Sequence, residues 1–81
     1  MNDLFWDFVN RYIFKANELK DEATMPQASS SLLYASARYN ALTIIDNYTD
    51  SEREEKIKEH IEIYEEFLRN SFKHLENEKR K

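Results

Sequence analysis

The sequence predicts an all-α fold, an antiparallel up-down-up bundle of three helices, and three observations predict it. Glycine is absent and proline occurs once, at Pro26, so the residues that usually make tight turns, bulges and left-handed caps are missing. Charged residues make up 35% of the chain, the share that several solvated helix faces supply. Apolar residues recur at three- and four-residue spacing in three stretches separated by two breaks. The predicted helices cover residues 3–23, 29–47 and 51–78 of one domain spanning residues 1–81, with a second copy expected to extend the bundle into a dimer.

The first helix follows from Phe5, Phe8, Val9, Tyr12, Ala16, Leu19 and Ala23, which fall on one side at about 100° per residue. Asn2 or Asp3 is expected to cap it. Phe14 points away from this stripe, where a simple amphipathic helix carries a charge. Residues 23–26 read as the break, because proline lacks an amide and pushes the residue before it out of helical geometry. Ser29 or Ser30 is then expected to cap the second helix. That helix is apolar nearly all round, with Leu32, Tyr39 and Leu42 on one side, Leu33 and Ile44 on a second, and Tyr34 and Ile45 on a third. Two neighbours in a bundle leave roughly a third of such a helix uncovered.

Ser51 and Glu54 have capping-box spacing and open the third helix. Ile57, Ile61, Tyr64, Leu68, Ser71 and Leu75 alternate steps of four and three, the heptad seam of bundles. Glu52–Lys56, Glu54–Lys58, Glu65–Arg69 and Glu76–Arg80 are acid-first pairs at four-residue spacing, worth roughly 0.2–0.5 kcal/mol each. Loops of about five and three residues imply antiparallel neighbours. At about 1.5 Å per residue the third helix is the longest, and its last turns, with Phe72 and Leu75, are expected to overhang.

Eighty-one residues support one small core, and the absence of cysteine removes disulfides, thiolate catalysis and sulfur-ligated zinc. The formal net charge of −4 has the wrong sign for neutralising a phosphate backbone. No apolar run reaches the roughly 20 residues of a membrane span, and residues 1–11 lack a basic n-region, which points to the cytoplasm.

The string Ser29-Ser30-Ser31-Leu32-Leu33-Tyr34-Ala35-Ser36-Ala37-Arg38-Tyr39-Asn40-Ala41 resembles a bacterial family catalogued only as domain of unknown function 3144. Phe5-Trp6 and Tyr12-Ile13-Phe14-Lys15-Ala16-Asn17 resemble its upstream aromatic pair and the segment after it, with Lys15 and Leu19 as departures. The resemblance covers residues 4–45 and implies a small bacterial cytosolic helical protein, with no activity attached.

That string singles out Asn17, Tyr34, Arg38 and Asn40 as ligand or partner candidates. The plainer reading buries Asn17 and Asn40, each satisfied by the other or by nearby backbone in an interhelical hydrogen bond. Arg38 lies about 160° round the helix from Asn40 but shares a face with Tyr34, one turn earlier. That face suits an anion, a partner carboxylate or Asp46 of a second copy. His60 and His74 lack the Glu-x-x-His spacing of di-iron bundles, so no metal and no cofactor are expected, and His60 reads as solvated. Serines 29–31 have no glycine elbow or oxyanion loop and read as caps rather than nucleophiles. Catalysis has no visible seat.

The expected function is therefore a non-enzymatic interaction module that forms a homo-oligomer or receives a partner helix, with Phe14, Ile45, Ile63, Phe67 and Phe72 as interface candidates. A small-ligand or anion binder using Tyr34 and Arg38 is the alternative. Weak nucleic-acid binding through the basic tail, Lys79-Arg80-Lys81, comes third.

Overall fold

The computed structural model describes residues 2–79, and among them the fold is all-α, with three helices and no strand. Helix α1 runs Asp3–Glu22, α2 runs Met25–Asn47, and a 3₁₀ turn at Asp50–Glu52 leads into α3, Arg53–Lys79. By the same rise per residue the helices are about 30, 34 and 40 Å long.

Asn2 caps α1, its side-chain oxygen accepting the Phe5 amide at 2.9 Å, as the sequence leads one to expect. Asp3 in the first turn and Lys20 in the last complement the helix dipole. The helix ends without glycine. Ala23 takes φ −141° and ψ −104°, and its amide is shared by the carbonyls of Leu19 (3.2 Å) and Lys20 (3.3 Å).

The second helix begins four residues before its expected start. Thr24, not Ser29 or Ser30, closes its first turn: the hydroxyl accepts from the Gln27 amide at 3.3 Å and donates to the Gln27 side-chain oxygen at 3.3 Å, while the Thr24 carbonyl accepts from Ala28 at 3.1 Å. Pro26 therefore sits inside the first turn, where an amide would have no helical partner anyway. The serines lie within the helix rather than capping it, and the Ser31 hydroxyl bonds back to the carbonyls of Gln27 (2.8 Å) and Ala28 (3.1 Å).

The start of α3 is displaced in the same way. The reciprocal bonds run between Thr49 and Glu52 rather than Ser51 and Glu54: the Thr49 amide and hydroxyl both donate to one Glu52 carboxylate oxygen at 3.0 Å, and the Glu52 amide donates back to the Thr49 carbonyl at 3.0 Å. Arg53 adds an ion pair to Asp50 at 2.9 Å. Of the four expected ion pairs, Glu65–Arg69 forms at 2.7 Å. Lys56 instead meets Glu59 at 3.2 Å and lies 4.6 Å from the Tyr48 ring centre. Glu54 and Lys58 are not paired among the described residues, and Arg80 lies outside them.

The chain falls into two units, Met1–Leu42 and Thr43–Lys81. In the first, Ala28 is buried and Phe5, Val9, Ala16 and Lys20 are half-buried. In the second, Ile44 is buried and Lys56, Glu59 and His60 are half-buried. Ala28 and Ile44 are the buried residues among those described, and neither α1 nor α3 carries one. The stripes that the sequence assigns to a bundle core are formed on their helices but left open to solvent.

Candidate interaction surface

The candidate ligand residues lie on α1 and α2, where helical spacing sets the direction of each. Tyr34 is 67% exposed, and Arg38, one turn further on, is exposed as well. Tyr34 borders a shallow open groove along α2 lined by Pro26, Gln27, Ser30, Ser31 and Ala35, residues spaced one turn apart. The sequence reading missed this groove because it placed Pro26 and Gln27 in a loop. Asn17 and Asn40 are both exposed, and among the described residues neither side chain has a hydrogen-bond partner. The expected buried bond between them is thus corrected: no apolar cover surrounds either amide, so water can satisfy both.

The interface candidates stand out in the same survey. Phe14 is 67% exposed, Phe72 60% and Ile45 58%, with Ile63 and Phe67 close to half. They are joined on α1 by Leu4, Trp6, Tyr12 and Ile13, and on α3 by the heptad seam, whose large members range from 38% exposed at Ile57 to 60% at Ile61. Trp6 and Phe8 remain open despite local support: half-buried Phe5 meets Trp6 edge to face at 5.1 Å between ring centres, and the Arg11 guanidinium lies 5.5 Å from the Phe8 ring centre.

The charged groups satisfy one another locally. Asp7–Arg11 pair at 2.9 Å and Lys15–Glu18 at 3.3 Å, each within α1. Two bonds from Thr49, backbone first and hydroxyl second, hold the Glu52 carboxyl below its ordinary value of 4.5. The bond to Glu59 holds the Lys56 ammonium above 10.5, against a smaller opposing effect of desolvation. His60 differs from its solvated expectation: it is half-buried, with Nδ1 donating to the Lys56 carbonyl at 2.8 Å. Nδ1 must carry the proton, because the carbonyl can only accept. Among the described residues no three histidines or carboxylates gather as metal ligands.

Several charged groups are thus paired within their own helices while most large apolar side chains stay open to solvent. The sequence match is to the family described as "Protein of unknown function (DUF3144)", over residues 5–78. The chain belongs to the DUF3144 family. The match extends the resemblance of residues 4–45 through nearly all of α3, so the seam is part of the DUF3144 match as much as the Tyr34–Asn40 string is. No curated protein and no solved structure matches the chain. No helix among the described residues is long and apolar enough to cross a membrane.

Proposed function

We propose that this DUF3144 chain is a non-enzymatic helical interaction module that self-associates, working in a bacterial cytoplasm. The observation that carries the reading is the exposure of 23 large apolar side chains among the described residues, spread over all three helices. Fully covering such a side chain is worth about 1.5–3 kcal/mol, so covering the open half of each adds roughly 1 kcal/mol apiece. Each such side chain left in water forgoes that contribution. Association supplies the cover. Light scattering across a concentration series tests this, with a multiple of the chain mass expected and a strict monomer at high micromolar protein overturning it.

A second reading rests on the groove beside Tyr34, which with Arg38 suits a small anion or ligand. Arg38→Met separates the two. An unchanged fold with lost binding supports a ligand site, whereas loss of association supports a role at an interface. Nucleic-acid binding through Lys79 and the two residues after it, which lie outside the described segment, ranks below both because the chain carries net charge −4.

A further inference from the structure

Helix α3 offers the longest apolar seam in the chain, and that seam specifies its own partner. Ile57, Ile61, Tyr64, Leu68, Ser71 and Leu75 repeat at steps of four and three along a helix of 27 residues, with no buried residue on it. Such a seam wants a facing helix with the same repeat. Charge then chooses the direction. Residues 53–66 hold six acidic and three basic side chains, whereas residues 67–79 hold three basic and two acidic ones. A parallel pair would set acidic half against acidic half, and an antiparallel pair sets each acidic half against the basic half of the other copy.

We infer that α3 pairs antiparallel with α3 of a second copy about a two-fold axis level with Glu66, an inference that rests on the self-association proposed above. In this register Tyr64 meets Leu68 of the second copy, Ile61 meets Ser71, and Ile57 meets Leu75, each twice by symmetry. The flanks agree with it. Phe67 faces its own equivalent near the axis, adding an aromatic pair to the seam. Lys58 comes within two residues of the level of Phe72, about 3 Å along the axis, so its stem can cover the ring and its ammonium can sit over it. Glu65 also faces its own equivalent, and the Arg69 guanidinium held on it at 2.7 Å offsets that repulsion.

The cysteine-free chain allows a clean test. Glu66→Cys and Asn77→Cys, both at exposed positions, are spin-labelled separately, and the distance between copies is read by pulsed electron paramagnetic resonance alongside the mass by light scattering. The antiparallel register leaves the labels at residue 66 separated by little more than the helix spacing of about 8–10 Å and the label arms. Those at residue 77 are about 33 Å apart along the helix axis, twice eleven residues at 1.5 Å each. Mixing Glu55→Cys and Asn77→Cys samples gives a short distance again, since these two positions come level. An oligomer with equal distances at residues 66 and 77 is parallel and overturns the inference. So does an oligomer with long distances at both, in which another helix of the chain, or another face, covers the seam. Either result leaves the association reading standing; a monomer without dipolar coupling overturns both.

Discussion

Thr49 and Glu52 show how much a single exposed carboxylate can organise. Both donors of Thr49 converge on one oxygen of Glu52 and close the turn from which α3 starts. Those bonds favour the charged form, so the folded-state pKa lies below the unfolded one. The contribution is therefore fully present above about pH 4.5 and is lost as pH falls through the lower folded value. Glu52→Gln is expected to lower stability at neutral pH and to match the parent protein in acid, which circular dichroism during titration from pH 7 to pH 3 will show. A constant difference across that range would mean the charge is irrelevant. Lys56 has the opposite sign. Its raised value gives a contribution present below pH 10.5 and lost as pH rises through the folded value, so circular dichroism is expected to show an alkaline loss of helix signal in the parent that Lys56→Met lacks.

At the scale of elements, the three helices were legible because their apolar periodicity is long, and α1 was legible to within a residue because Asn2 is an ordinary cap. The starts of α2 and α3 were not, for related reasons. Thr24-Met25-Pro26-Gln27 contains both a helix-breaking residue and a capping pair, and the capping pair prevails because proline costs nothing in a first turn where amides lack helical partners. Thr49-Asp50-Ser51-Glu52 and Ser51-Glu52-Arg53-Glu54 both have capping-box spacing, and only the structure decides between them. A pair of substitutions tests the assignment of α2. Pro26→Ala is expected to leave helix content and midpoint nearly unchanged, whereas Thr24→Ala, which removes the partner of the Gln27 amide, is expected to cost about 0.5–2 kcal/mol. Reversed magnitudes in urea titrations would place the helix start after the proline. The site residues were only partly legible: exposure of Phe14, Phe72 and Tyr34 follows from helical phase, but the exposure of Asn17 and Asn40 does not, since an amide within an apolar string reads as buried.

For the whole molecule, the deciding quantity is how folding responds to concentration. Isolated helices shorter than about 12–15 residues are marginal in water, and longer ones owe most of their stability to packing of an apolar face. Ala28 and Ile44 are the buried side chains among the described residues, so little of the helices' apolar surface is packed within either unit. If the missing cover comes from a second copy, folding and association are one equilibrium, and stability acquires a concentration term. Each tenfold rise in protein should then add about 1.4 kcal/mol per dimer to the apparent free energy of unfolding, raising the thermal midpoint. Helix content should fall on dilution through the dissociation constant, in step with the loss of mass by light scattering. Ile61→Ser and Leu68→Ser, which make the α3 seam polar without touching a cap, should move that dilution transition to higher concentration. Phe14→Ser, on α1, reports whether the rest of the open surface takes part: an equal displacement there extends the interface beyond α3, and none confines it to α3. A midpoint that stays the same over a hundredfold range of concentration would falsify the coupling, because a fold sealed within one copy has no term in concentration.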